Sequence, residues 1–78
     1  MRPVKIHVKI FGVARLKAGI GSFETDVATL DELMDAIPGI PRKEAKDLVV
    51  LVNGRSAGRR YRFSEGEEVA LLAPAGGG

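Results

Sequence analysis

Apolar and polar residues alternate strictly at the start of the chain. Val4, Ile6, Val8 and Ile10 interleave with Lys5, His7, Lys9 and Phe11. A period of two with β-branched residues predicts a strand with one buried face. Gly12 to Gly21 holds three glycines and reads as the first connection. Phe23, Thr25 and Val27 then alternate with Glu24 and Asp26, a second strand that would pair with the first as a hairpin. Thr29-Leu30-Asp31-Glu32 has the form of a capping box, with two acids suited to the positive end of a helix. Leu30, Leu33, Met34 and Ile37 follow at i, i+3, i+4 and i+7. They predict one apolar stripe on a helix of roughly two turns, ended by Pro38-Gly39.

Pro41 to Lys46 suggests a helical turn with Pro41 at its first position. Leu48 to Val52 is a continuous apolar run, expected of a strand with little exposed face, and Asn53-Gly54 is a strong turn signal. Tyr61 and Phe63 fit a further short strand. Glu65-Gly66 is a turn, and Val69 to Ala73 forms the last strand. Strands with one helix on one face make a two-layer α+β domain. The two most apolar strands, first and last, suit the middle of the sheet. This order is the β-grasp arrangement, with a mixed sheet of four to five strands and one main helix. The expected division is a body over 1–75 and a flexible glycine tail over 76–78.

The chain has 78 residues, enough for one domain. The formal net charge is +2, too small and too dispersed to argue for nucleic acid. There is no cysteine, so a disulfide framework, a thiolate metal site and a thiol nucleophile are all excluded. The opening residues read as no signal peptide, and the longest apolar run is too short for a membrane span. A cytoplasmic protein is the expectation.

No catalytic constellation stands out. His7 is the only histidine and alternates with the apolar face of its strand, pointing to solvent. The glycines after the first strand miss the spacing of a phosphate loop. Arg55, Arg59, Arg60 and Arg62 gather after the Asn-Gly turn. They read either as a solvated hairpin or as a docking patch for an acidic protein surface. The remaining feature is the end, Pro74-Ala75-Gly76-Gly77-Gly78. Three glycines form a thin, permissive thread, and five extended residues reach about 17 Å. Such a thread passes down a tunnel that rejects larger side chains. It would carry a carboxylate into another protein's active site. That carboxylate becomes reactive once its oxygen is made a leaving group, as in an acyl adenylate.

The chain resembles the MoaD/ThiS family of ubiquitin-like sulfur carriers over nearly its whole length. The resemblance rests on Val4 to Gly12, Thr29 to Ile37, Val50-Leu51-Val52-Asn53-Gly54 and, most specifically, Glu65 to Gly78. The last segment is similar to the family's Gly-Asp-Glu-Val strand, proline and terminal Gly-Gly. The opening segment favours the small subunit of molybdopterin synthase over the thiazole branch. The resemblance implies a protein that is not an enzyme by itself and binds no cofactor. An E1-like adenylyltransferase would use ATP to activate Gly78, and a sulfurtransferase would supply sulfur for a thiocarboxylate. The tail, Gly76, Gly77 and Gly78, would insert into the large synthase subunit and donate sulfur to a pterin precursor. Phe11, Leu72, Pro74 and Arg15 match family positions at partner interfaces. The alternatives are a carrier for thiazole or another thio-metabolite, and a protein modifier joined to lysines through Gly78.

Overall fold

The alternating opening segment forms strand β1 (Val4–Ile10) in the computed structural model, which describes residues 2–74. Ile6, Val8 and Ile10 are buried on one side of it. β2 (Ser22–Val27) pairs antiparallel with β1, from Val4 opposite Val27 to Lys9 opposite Ser22. β3 (Val49–Val52), β4 (Arg55–Ser56) and β5 (Glu68–Leu72) complete one five-stranded sheet in the order β2-β1-β5-β3-β4. β5 runs parallel to β1 and antiparallel to β3. The first and last strands therefore lie side by side in the middle, as the apolar pattern predicts.

Three short helices appear where one main helix is expected. α1 (Gly12–Ala18) occupies the segment read as a connection. Its residues from Ala14 to Ala18 are good helix formers. Gly19 then ends it in the left-handed region, φ 79°, donating its N–H to Arg15 O at 3.0 Å. α2 (Leu30–Leu33) begins with the expected capping box: Thr29 Oγ1 accepts from Glu32 N, and Glu32 Oε1 accepts from Thr29 N and Ala28 N. The helix is shorter than its stripe because Pro38 disfavours a helical Ile37. The backbone tightens first, with Asp35 N bonding Glu32 O and Ala36 N bonding Leu33 O. All four stripe residues are nonetheless buried. α3 (Arg42–Ala45) follows, with Pro41 at the N-cap and not inside the first turn. Arg42 ties α3 to α2 through Asp31 Oδ1 at 2.5 Å and Asp35 Oδ2 at 2.9 Å.

Tyr61 and Phe63 do not form a sheet strand. That segment instead crosses beneath the start of α2, where Leu30 N donates to Tyr61 O and Phe63 N to Ala28 O, both at 2.9 Å. The period-two burial is real, since Phe63 is buried and Tyr61 half-buried, but the partner is a single bridge, Thr29 with Arg62. The ring of Tyr61 meets Phe63 edge-on at 5.5 Å, and its hydroxyl donates to Glu67 Oε2 at 2.6 Å. Glu67 also accepts from Asn53 Nδ2 and Ser64 N, so one carboxylate ties the β3–β4 turn to the β4–β5 connection.

Every buried residue is apolar, and Ile6, Val8, Leu33 and Leu71 are fully enclosed between sheet and helices. Full burial of one such side chain contributes about 1.5–3 kcal/mol. Among the described residues no helix is long and apolar enough to cross a membrane.

Gly39 and Gly54 separate two reasons for a glycine. Both have positive φ, 72° and 84°. A Cβ at Gly39 would stand 2.8 Å from Lys17 O and 3.0 Å from Ala18 Cα, both backbone, whereas one at Gly54 meets open space. In chemical denaturation Gly54→Ala is expected to cost about 1 kcal/mol, from the left-handed conformation alone. Gly39→Ala should cost at least about twice that, because α1 must also move. Equal losses would show that Gly39 does not hold α1 in place.

The tyrosine gives a second test. Hydrogen bonding to Glu67, then desolvation, raises the Tyr61 phenol above its ordinary value of 10.0. The folded state thus holds the proton more tightly than the unfolded one. The contribution is fully present below about pH 10 and is lost as pH rises through the folded value. Tyr61 is the only tyrosine, so tyrosinate absorbance reports it directly. The midpoint should lie above 10 in the native chain and fall toward 10 in Glu67→Gln. An unchanged midpoint in the variant would remove Glu67 as the cause.

Candidate functional site

The three helices cover one face of the sheet and leave the other open. Alternation dictates what that open face carries. From β1 come Lys5, His7 and Lys9, and from β2 Ser22, Glu24 and Asp26. From β5 come Glu68, Ala70 and Leu72, and from β3 Val49 and Leu51. Register then brings the apolar members together. Lys9 is opposite Ala70, Ala70 opposite Leu51, and Leu72 opposite Val49. Phe11 continues β1, its N–H donating to Leu71 O at 3.0 Å, and its ring is 45% exposed. Val49, Leu51, Ala70, Leu72 and Phe11 therefore form one apolar strip at the end of the sheet where β5 finishes. Lys9 and the His7–Glu24 pair, 3.6 Å apart, lie along its polar side.

The Leu48 to Val52 run thus has an open face after all. Val49 is 40% exposed, because β3 has helices on one side only. An unbroken apolar run hides which positions face outward, so Val49 and Leu51 escape the sequence reading as site residues. Val13 and Leu16 escape it for another reason. They are 69% and 82% exposed on the outer side of α1, beside Phe11, in the segment whose glycines suggest a loop. The signal that finds them is the helix-forming run from Ala14 to Ala18.

The chain leaves β5 through Ala73 and Pro74. These line a shallow groove of about 300 Å³ with Val13, Ala14 and Lys17 of α1, and with Ile40, Glu44, Asp47 and Leu48. Lys17 and Glu44 form an ion pair across it. Pro74 is half-buried at this exit. Arg15 lies apart from the strip: its guanidinium folds over Gly21, 2.9 Å from where a Cβ would be. The structure thus brings Phe11 and Leu72 to one end of the open face, with Pro74 at the adjacent exit and Arg15 over Gly21. Gly76, Gly77 and Gly78 lie outside the described residues.

Among the described residues no group of three or more metal-ligating side chains is assembled, and no side-chain N or O atom is buried without a partner. The arrangement suits contact with another protein: an apolar strip, a polar margin and the exit of β5 beside them.

Comparison with known proteins bears on this geometry. A Pyrococcus furiosus protein provisionally described as molybdopterin converting factor subunit 1 superposes with a TM-score of 0.76 at 26% identity, covering 92% of this chain and 99% of that one. SAMP1 from Haloferax volcanii gives 0.75 at 26% identity over 95% and 99%. Urm1 from Trypanosoma brucei shares the fold, with a TM-score of 0.69 at 21% identity over 97% of each chain. No curated protein sequence matches. The ThiS family model matches residues 8–78, from β1 to the last glycine. The chain belongs to the ThiS family of small ubiquitin-like sulfur carriers.

Proposed function

We propose that this protein is the sulfur-donating small subunit of a molybdopterin synthase, carrying a thiocarboxylate on Gly78. The observation that supports this most is the course of β5. It is pinned on both sides in the middle of the sheet, and it delivers Ala73 and Pro74 beside the apolar strip. A rigid body with a docking surface and a glycine end fits a carrier better than a catalyst. The Pyrococcus furiosus relative supports the molybdopterin branch.

In this reading an E1-like adenylyltransferase joins the Gly78 carboxylate oxygen to the α-phosphorus of ATP, and pyrophosphate leaves. Sulfur at the sulfide level, supplied by a sulfurtransferase, attacks the acyl carbon. The bond to AMP breaks, leaving the thiocarboxylate. Phe11, Leu72 and Pro74 seat the body on the large synthase subunit, with Arg15 on the activating-enzyme side. Gly76, Gly77 and Gly78 enter the large subunit's site. There the sulfur bonds to the pterin precursor, and water returns the acyl carbon to a carboxylate.

A second reading is a protein modifier linked to lysines through Gly78. The likeness to SAMP1 favours it. A thiazole carrier is the third, given the family.

Reconstitution with the activating enzyme, sulfurtransferase and large subunit tests the proposal. Deleting Gly78 should abolish dithiolene formation without changing thermal stability. Leu72→Asp should weaken binding to the large subunit by about tenfold or more, as for an interface anchor. Dithiolene formation that survives the deletion would rule out the proposal. Gly-Gly remnants on cellular lysines without dithiolene formation would favour the modifier.

A further inference from the structure

The arginine cluster plays no part in the carrier chemistry, and its environment is unusual. Arg59, Arg60 and Arg62 line a groove of about 500 Å³ with Thr29 and Asp31. All three are exposed, and Arg55 stands exposed in the edge strand β4. Among the described residues none of these four guanidinium groups takes part in an ion pair. Three nearby carboxylates are committed to other partners. Asp31 is held by Arg42, whose Nη1 also donates to the Asp31 carbonyl at 3.1 Å. Glu32 closes the capping box. Glu67 receives Tyr61, Asn53 and Ser64. The backbone of this segment is fixed by Asp31 N to Arg59 O and Leu30 N to Tyr61 O. Three positive side chains are thereby presented on a fixed backbone, and the one carboxylate lining their groove, Asp31, is paired with Arg42.

Their place in the fold matters as much. The segment lies against residues 28–31, which continue from Val27, and Val27 pairs with Val4 at the start of β1. The chain end leaves after Leu71, which pairs with Ile10 at the finish of β1. Six residues of strand separate the two ends, about 20 Å. The basic groove and the tail exit are thus at opposite ends of the molecule.

We propose that this groove is a second docking site, taking an acidic segment of a partner protein while the tail end is engaged elsewhere. Guanidinium groups suit carboxylates through paired hydrogen bonds. Nucleic acid fits less well. Tyr61, the aromatic ring beside the arginines, is half-buried, packed on Phe63 and bonded to Glu67, so the groove lacks a row of stacking rings. The inference does not rest on the sulfur-donor reading.

Fluorescence anisotropy with labelled hexaglutamate, run beside labelled hexathymidylate, tests it. Hexaglutamate should bind more tightly than the oligonucleotide. Arg59→Ser/Arg60→Ser/Arg62→Ser should weaken it about tenfold or more, and Arg60→Glu alone should weaken it measurably if the triple variant misfolds. Lys9→Ser/Lys17→Ser/Lys43→Ser removes the same charge away from the groove and should leave binding within about twofold. Deleting Gly78 should have no effect, which separates this site from the carrier function. Absence of hexaglutamate binding, equal losses in the two triple variants, or tighter oligonucleotide binding would each overturn the proposal.

Discussion

The parallel pairing of β1 with β5 is the constraint on which the molecule depends. It joins the two ends of the chain in the middle of the sheet, and both strands are enclosed by neighbours on either side. Ile6, Val8, Ile10, Val69 and Leu71 put five of the seven largest fully enclosed side chains on these two strands. Closing almost the whole chain into one loop carries an entropy cost that grows only slowly with length, and burial of this central pair offsets it. The functional consequence is direct. The strand that leads toward the glycine end is paired on both sides, so Leu72 leaves the sheet from a fixed point.

The second consequence follows from size. A chain this short has enough helix to cover one face of its sheet and not two. The uncovered face keeps its alternation, and register gathers the apolar members near the β5 end while lysines, His7 and acids occupy the rest. Among the described residues no polar or charged residue is buried, so stability comes mainly from apolar contact and backbone bonding. The open face is thereby available to partners without disturbing the core. The basic groove sits at the other end because the 59–62 segment is stitched to the start of α2, away from the tail.

Legibility from the sequence followed the strength of each local signal. β1, β2 and the central placement of β5 were readable because strict alternation and the longest apolar runs leave few other arrangements. The Thr29 to Glu32 box was readable because capping is a matter of a few adjacent residues. Helix α1 was hidden by three glycines, although only Gly19 and Gly12 bound it and the residues between favour a helix. α2 stopped early because Pro38 acts one residue upstream of itself. Tyr61 and Phe63 kept their alternation without a sheet partner, since period two reports which side is buried and not what lies beside it. On the site, Phe11 and Leu72 came from the family resemblance, and their alternation away from the core face agrees with their placement outside the core. Val49 and Leu51 were missed, because an all-apolar strand carries no mark of its open face.

The account makes the glycine end the reactive part and the body its mount. Intact-protein mass spectrometry tests that most directly, after incubation with an E1-like adenylyltransferase, ATP and a sulfur donor. A mass gain equal to exchange of one oxygen for sulfur, localised by fragmentation to Gly78, is the predicted result. An unchanged mass, with the same enzyme modifying a known carrier in parallel, would contradict it.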